Sequence, residues 1–159
     1  MKKSVSVIGA SEASAEEVAL AREVGKLIAQ AGFVLVSGGL GGVMAAACEG
    51  AKSAGGLTVG ILPMRGKKQA NLYVDIAIPT AMSEARNLVV VLSGDAVVAI
   101  GGGFGTLSEI ALALRAGTLV VALSSWNLDP ERIEGAPFIR AATPQEAMEV
   151  IVRELARPK

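Results

Sequence analysis

Ala99-Ile100-Gly101-Gly102-Gly103-Phe104-Gly105-Thr106-Leu107-Ser108-Glu109 leads from an apolar run through four glycines into a helix-forming segment. The pattern predicts a buried strand, a tight loop and a helix that begins near Thr106. Unpaired backbone amides at a helix N-terminus, with the helix dipole behind them, bind phosphates and other anions. We therefore expect an anion site here. The alternative is a tight turn in which glycine only supplies positive φ angles.

The glycine spacing does not match either of two common nucleotide-binding motifs. A Gly-x-Gly-x-x-Gly dinucleotide fingerprint that starts at Gly101 needs glycine at position 106, which is threonine. No Gly-x-x-x-x-Gly-Lys-Ser/Thr segment occurs in the chain. The sequence therefore disfavours a dinucleotide-dependent oxidoreductase and a P-loop nucleoside triphosphatase.

Short β-branched runs alternate along the chain with Ala-, Leu- and Glu-rich stretches, which is typical of βαβ units around a parallel sheet. We predict an α/β fold, a doubly wound parallel sheet in a single domain of 159 residues. The sheet becomes mixed only if the segment Phe138 to Ala141 adds at its edge. The predicted strands are 4–9, 33–37, 57–61, 73–78, 96–100 and 118–123, and the predicted helices are 14–31, 42–54, 83–93, 106–116 and 143–156.

Glycines and small polar residues follow the ends of three predicted strands. Gly9-Ala10-Ser11 follows the first, and Ser37-Gly38-Gly39-Leu40-Gly41-Gly42-Val43-Met44 joins the second to a helix. In an open parallel sheet, the carboxyl ends of the strands line the crevice where ligands bind. We expect Gly38 and Gly39 to cradle a second polar part of the ligand and Ser11 to supply a hydroxyl group.

The composition excludes several classes of partner. Fifteen basic and fifteen acidic side chains cancel, so the positive field of a general nucleic-acid binder is missing. The longest strictly aliphatic runs span five residues, far below the roughly 20 that cross a bilayer. The start, Met-Lys-Lys, is not followed by a long apolar segment of the signal-peptide kind. We expect a cytoplasmic protein that binds neither nucleic acid nor membrane.

The chain contains no histidine and one cysteine, Cys48, which restricts the chemistry it can perform. A Ser-His-Asp triad, a Cys-His nucleophilic pair and a Cys/His zinc site are all excluded, and we expect no metal site. Catalysis would have to use carboxylates, arginine or lysine, hydroxyls and backbone amides. Cys48, Met44 and Met82 are expected to pack in the core.

Two charged side chains have both a structural and a functional interpretation. Thr106-x-x-Glu109 matches a capping box, in which the glutamate bonds back to the helix start, but Glu109 is equally suited to act as a base beside the ligand. Arg86 is either a surface arginine or a planar donor that holds a phosphate or ribose oxygen.

Two loop-like segments, 62–72 and 124–136, are placed to border the site. The first contains Arg65, Lys67 and Lys68, which we interpret as a solvated loop in preference to a substrate-facing one.

Four segments, taken in order, resemble the Lonely Guy or "lysine decarboxylase-like" superfamily. They are Ser37 to Met44, Gly55-Gly-Leu-Thr-Val-Gly-Ile-Leu-Pro63, Arg86-Asn87, and Asp95-Ala-Val-Val-Ala-Ile-Gly-Gly-Gly-Phe-Gly-Thr-Leu-Ser-Glu109. The match covers about residues 4–123, and Gly-Gly-x-Gly-Thr-x-x-Glu is its most specific part. The resemblance implies a Rossmann-like fold, a phosphorylated small-molecule ligand, and assembly into a homodimer or homotetramer.

The resemblance also implies an activity, because the best understood members are phosphoribohydrolases that release a base from a nucleoside 5′-monophosphate. It implies that Gly102, Gly103, Gly105 and Thr106 hold the 5′-phosphate, and that Glu109 and Arg86 flank the ribose as catalytic residues. A carboxylate suits this chemistry because it stabilises an oxocarbenium-like ribosyl centre. No cofactor is required.

Two segments depart from the hydrolase pattern and leave alternatives open. Gly101-Gly102-Gly103 stands where hydrolases have Pro-Gly-Gly, and Glu84-Ala85-Arg86-Asn87 stands where they have a segment like His-Glu-Arg-Lys. The Arg-Asn pair is closer to a bacterial branch that also resembles the molybdenum cofactor carrier protein of algae. Beside the hydrolase, the alternatives are a non-catalytic carrier of a nucleotide monophosphate or phosphorylated pterin, and a structural oligomer whose glycine loops bind no ligand.

Overall fold

A computed structural model describes residues 1–157, in which seven strands form one sheet with parallel pairing between all neighbours. The sheet order is β4-β3-β2-β1-β5-β6-β7. The strands are β1 (Ser4–Gly9), β2 (Val34–Ser37), β3 (Thr58–Leu62), β4 (Ile76–Pro79), β5 (Ala96–Ile100), β6 (Leu119–Leu123) and β7 (Phe138–Ala141). The helices are α1 (Ala15–Gln30), α2 (Val43–Ser53), α3 (Arg86–Ser93), α4 (Phe104–Arg115) and α5 (Pro144–Ala156), and a 3₁₀ turn (Ser83–Ala85) precedes α3.

Helices cover both faces of the sheet, which confirms the predicted doubly wound α/β fold. Successive side chains of a strand point to opposite faces. Val5 and Val7 of β1 accordingly pack in the core beneath α1, α2 and α5, whereas Ile8 packs in the core beneath α3 and α4. Each such fully buried aliphatic side chain contributes about 1.5–3 kcal/mol to folding.

The segment 138–141 adds at the sheet edge beside β6, but in parallel register, with Val121 opposite Ile139. The sheet is therefore parallel as predicted, and only the condition that an added 138–141 strand would make it mixed is wrong, since that strand also runs parallel. The chain reaches β7 through the long segment 124–137, which returns it to the same end of the sheet as the start of β6.

Strand β4 begins three residues later than predicted, at Ile76 instead of position 73. The Asn71 side-chain oxygen accepts a hydrogen bond from the Tyr73 amide (3.0 Å), and the Asp75 carboxylate accepts one from the Thr58 amide (3.0 Å). Short polar side chains that bond to nearby backbone favour turns over strand pairing. The stretch 71–75 is thereby held as a turn.

Helices α1 and α2 lie in unusually close contact through two glycines. A Cβ atom at Gly25 of α1 would overlap the carbonyl group of Ala47, and a Cβ at Gly50 of α2 would overlap the carbonyl group of Arg22. Neither glycine has a positive φ angle, so the close approach of the two backbones is what requires it. This contact fixes α2, and with it the loop that follows β2.

The chain runs outward from β1 to β4 on one side of the sheet and from β5 to β7 on the other. The direction reverses between the adjacent strands β1 and β5, and such a reversal opens a crevice beyond the carboxyl ends of the strands. The loops that begin at Gly9 and Gly101 flank this crevice. Within residues 1–157, none of the helices is long and apolar enough to span a membrane.

Candidate functional site

A cleft of about 750 Å³ lies at the carboxyl ends of the strands, in the range of volumes that small-molecule sites have. It brings together the segments that follow β1, β2, β3, β4 and β5 and the starts of α2, α3 and α4. Its lining consists of Gly9, Ala10, Ser11, Glu12, Leu40, Met44, Pro63, Met64, Ser83, Glu84, Arg86, Asn87, Gly103, Gly105, Thr106 and Glu109.

The N-terminus of α4 opens into this cleft without a cap. The helix begins at Phe104, two residues before the predicted start, and its N-cap residue, Gly103, has no side chain to bond the first amides. The first backbone bond of the helix runs from the Leu107 amide to the Gly103 carbonyl (3.0 Å). The amides of Phe104, Gly105 and Thr106 therefore lack helical partners and carry the positive end of the helix dipole.

Glu109 does not cap the helix, so the capping-box interpretation is wrong. Thr106 already lies inside the first turn, where it is buried, and Glu109 lies one turn further along with 9% of its surface exposed. Burial raises the pKa of Glu109 to about 7, while the positive charge of Arg86 acts to lower it. Near neutral pH the cleft thus contains a carboxyl group that both gains and loses a proton readily.

Arg86, the first residue of α3, is buried with 8% of its surface exposed, which excludes the surface interpretation. Its Nη1 atom donates a hydrogen bond to the Ile61 carbonyl (2.7 Å), whereas its buried Nε atom has no partner among the described residues. Burial lowers the pKa of Arg86 and the charge of Glu109 raises it. The ion pairs within 4.0 Å in residues 1–157 do not include Arg86 with Glu109.

The glycine loop between β2 and α2, residues 38–42, shapes the wall of the cleft. Gly38 and Gly39 do not line the cleft, although both were predicted to contact the ligand. A Cβ at Gly38 would overlap the guanidinium group of Arg86, and Gly39, with φ of 72°, packs against Leu62 and Gly60. Gly38 thus makes room for the Arg86 guanidinium, and Gly39 makes room for Leu62 and Gly60 of β3.

The other predicted site residues lie on two sides of the glycine loop between β5 and α4, residues 101–103. Ser11, Gly103, Gly105 and Thr106 line the cleft, and Gly102 lines a separate cavity of about 400 Å³ on the far side. That cavity is bounded by Glu17, Gly101, Gly102, Ser124, Ser125, Trp126 and Asn127.

Sequence reasoning missed Glu12 and Glu84, which line the cleft as further carboxylates. In the sequence, the only indication of these two residues was their position next to predicted site segments.

Met44 is buried as predicted and also reaches the cleft, whereas Met82 is 46% exposed, so its assignment to the core is wrong. Cys48 is buried, and burial raises the pKa of its thiol. Arg65, Lys67 and Lys68 are exposed, outside the cleft lining.

Comparison with known proteins identifies the same superfamily. Residues 2–151 match the model of the SLOG cluster4 family. A cytokinin riboside 5′-monophosphate phosphoribohydrolase of Mycobacterium tuberculosis is 36% identical over 127 residues, covering 74% of this chain and 68% of that protein. The resemblance to Lonely Guy proteins is thereby confirmed.

Two solved structures extend the likeness to nearly the whole chain. The molybdenum cofactor binding protein of Rippkaea orientalis superimposes with a TM-score of 0.93 at 38% identity, covering 98% of this chain and 99% of that one. The molybdenum cofactor carrier protein of Chlamydomonas reinhardtii gives a TM-score of 0.88 at 34% identity, covering 99% of this chain and 100% of that one. The predicted proximity to the carrier branch is confirmed as well.

Proposed function

The chain belongs to the SLOG cluster4 family, and from that premise we propose that it is a non-catalytic carrier of the molybdenum cofactor, a phosphorylated pterin. The observation that supports this most is the uncapped start of α4, open to the cleft beside the buried guanidinium of Arg86. Free amides at a helix start and a buried guanidinium both favour an anionic partner. Likeness to cofactor-binding proteins along nearly the whole chain supports the choice of ligand.

In this proposal the ligand phosphate binds the amides of Phe104, Gly105 and Thr106, where the dipole of α4 favours negative charge. Gly103 and Gly105 let it approach because they carry no side chain. The guanidinium of Arg86, a residue that lines the cleft, and the Ser11 hydroxyl donate to the polar remainder of the ligand. Gly38, Gly39 and Gly102 contribute through the shape of the loops, since none of them lines the cleft.

The side chains around the cleft favour binding over turnover. Within residues 1–157, three carboxylates and one guanidinium line it, and no lysine does. A departing base needs a proton, and Arg86 is a poor acid because a guanidinium stays charged in proteins, so the proton would have to come from Glu109. Its Nη1 atom is also committed to the Ile61 carbonyl.

A phosphoribohydrolase activity is the second candidate, and Glu109 is the observation that favours it. A carboxyl group with a pKa of about 7 can donate a proton or act as a base near neutrality. Ionised, it would also stabilise positive charge on a ribosyl centre. Glu109 and Arg86 are then the catalytic residues, and a nucleoside 5′-monophosphate is the substrate.

One preparation tests both candidates. The protein is produced in cells that make the molybdenum cofactor and in cells that do not, and bound molybdenum is measured by elemental analysis alongside native mass spectrometry. A carrier retains a stoichiometric pterin phosphate from the first cells only. The same protein and Glu109→Gln are then incubated with AMP and related monophosphates. Base release by wild type alone identifies a hydrolase, and neither bound ligand nor release rejects both candidates.

We further propose that the chain associates with itself through the face formed by β4 and α3. Ile76 and Ile78 are 46% and 43% exposed, on the sheet face that α3 and α4 cover elsewhere. Leu88 and Leu92, one turn apart on α3, are also exposed, and α3 carries no charged residue after Arg86. An uncharged apolar face can pair with its own symmetry copy because no like charges oppose each other.

Light scattering after gel filtration tests this association. Wild type should elute at a multiple of 16.1 kDa, and Ile78→Glu combined with Leu92→Glu should elute as a monomer. Val152→Glu, at an exposed apolar position on α5, is the control and should keep the wild-type mass. A wild-type monomer at micromolar concentration would contradict the proposal.

A further inference from the structure

The segment after β6 folds back over the glycine loop and bonds to its carbonyl groups. The Ser125 hydroxyl donates a hydrogen bond to the Gly101 carbonyl (2.6 Å), and the Trp126 indole N–H donates one to the Gly103 carbonyl (3.0 Å). The Trp126 ring also lies against Phe104, with ring centres 6.0 Å apart. Three contacts therefore join this segment to the start of α4.

The turn that produces these contacts is strained. Ser124 has a φ angle of 49°, in the left-handed region that residues other than glycine rarely adopt. Such a conformation costs on the order of 1 kcal/mol and persists only where surrounding contacts enforce it. Here the enforcing contacts are those of the next two residues, Ser125 and Trp126, with the glycine loop.

Trp126 bonds the carbonyl of the peptide group between Gly103 and Phe104, and the N–H of that same peptide group is the first free amide of α4. In a planar trans peptide the C=O and N–H point in opposite directions, so the Gly103 carbonyl and the Phe104 amide belong to one rigid unit. The Leu107 amide bonds this carbonyl within the helix, and the indole N–H is a second donor that further restricts the orientation of the unit. It also polarises the peptide, which strengthens the amide as a donor on the other side.

The loop needs such a restraint because glycine loses more conformational freedom on ordering than any other residue. Gly101 and Gly102 both have positive φ angles, and no side chain of the loop itself bonds its carbonyls. Without the bonds from Ser125 and Trp126, ordering the loop would cost binding free energy when an anion arrives.

We propose that Ser125 and Trp126 are positioning residues for anion binding, which hold the Gly101–Gly103 carbonyls on the far side of the loop so that the α4 amides face the cleft. The inference rests on the proposed anion site. It assigns a function to the start of the 124–136 segment in addition to its part in the crossover from β6 to β7.

Trp126 is the single tryptophan of the chain, so its fluorescence reports on this contact directly. Titration of the wild-type protein with sulfate, and separately with AMP, should give a saturable change in emission. The indole N–H bonds the Gly103 carbonyl, and that carbonyl belongs to the same peptide group as the proposed ligand-binding amide of Phe104. Calorimetry on the same samples supplies an independent dissociation constant.

Trp126→Phe keeps a ring beside Phe104 and removes the indole N–H, and Ser125→Ala removes the hydroxyl. Each should weaken sulfate and AMP binding about fivefold, the loss expected for one hydrogen bond. Each should also speed amide hydrogen exchange across residues 101–106, with the melting temperature little changed. Ser93→Ala removes a similar side-chain bond remote from the site, to the Val89 carbonyl (2.6 Å), and should change neither quantity.

The outcomes separate this inference from the proposed function. If wild type binds sulfate or AMP and both variants bind equally well, the positioning role is wrong while the anion site stands. If wild type binds neither probe, the anion site and the positioning role fall together. Should Trp126→Phe not fold, Ser125→Ala alone decides between these results.

Discussion

The Nη1 atom of Arg86 donates a 2.7 Å hydrogen bond to the carbonyl oxygen of Ile61, which joins the start of α3 to β3 across the floor of the cleft. The bond holds the guanidinium in place and leaves its buried Nε without a partner among the described residues. Beside it, the first amides of α4 are also free. Arg86 and the start of α4 thus line one cleft, and the following predictions test what that cleft binds.

Phe104→Pro removes one of the proposed ligand amides without breaking the helix. Phe104 is the first helical residue, where proline is tolerated because its missing N–H has no helical partner. Compared with Phe104→Ala, which loses the same ring, the proline variant should bind sulfate or AMP at least fivefold more weakly by calorimetry. Equal affinities for the two variants would mean that the Phe104 amide does not contact the anion.

Glu109 should make the folded protein less stable as the pH rises. Its pKa is about 7 when folded, against about 4.3 for an unperturbed glutamate. Between these values the folded protein keeps a proton that the unfolded chain has released, so the free energy of unfolding falls as the pH increases. The loss should total roughly 3–4 kcal/mol and should be complete about one pH unit above the folded pKa, near pH 8.

Glu109→Gln should abolish this loss, because glutamine does not ionise. Urea unfolding at pH 4.5 and pH 8 measures it, and the variant should gain roughly 2–3 kcal/mol relative to wild type between the two pH values. Glu131→Gln, at an exposed position, is the control. Parallel curves for wild type and Glu109→Gln would show that the folded environment does not disfavour ionisation of Glu109.

Gly38→Ala should damage the site through Arg86. The new Cβ would overlap the guanidinium and lie 2.7 Å from the Met44 sulfur, so Arg86 has to leave its place under the loop. We expect a loss of about 2 kcal/mol in the free energy of unfolding and a weaker affinity for sulfate. Gly66→Ala, where a Cβ meets no atom within 4 Å, should change both by little. Wild-type behaviour of Gly38→Ala would contradict the packing described here.

Gly25→Ala should destabilise the protein although alanine favours helices by about 1 kcal/mol over glycine. The added Cβ would overlap the carbonyl of Ala47 and force α1 and α2 apart. We expect a net loss above about 1 kcal/mol in thermal or urea unfolding. Gly105→Ala, in α4 with open space around the new Cβ, serves as the stability control. A gain in stability for Gly25→Ala would show that the two helices are not in close contact.

The sequence predicted the fold well because hydrophobic periodicity and glycine placement are local signals. The helices predicted over 14–31 and 143–156 begin within one residue of the predicted positions, at Ala15 and Pro144. The start of β4 was misjudged because it depends on Asp75 bonding to Thr58, a residue 17 positions away. Likewise, the reasons for Gly25 and Gly50 lie in a partner helix and cannot be read from either helix alone.

The candidate site was predictable in part for the same reason. The glycine loop before α4 marks itself by composition, and the Arg86 and Glu109 positions followed from the resemblance to a family. Gly38 was interpreted as a ligand contact because a glycine cluster after a strand has that meaning locally, but its neighbour is Arg86, from an element 48 residues later. The bond of Trp126 to Gly103 is invisible in the sequence, since nothing in the 124–136 segment indicates which loop it covers.

Amide chemical shifts in ¹⁵N-labelled protein test the central claim most directly, because they report on the individual N–H groups proposed to bind the anion. On titration with sulfate or AMP, the resonances of Phe104, Gly105 and Thr106 should move downfield with a single saturation curve, while exposed amides of α5 stay in place. If the ligand binds and these three resonances do not move, the start of α4 is not the anion site and the proposed carrier and hydrolase functions both fail.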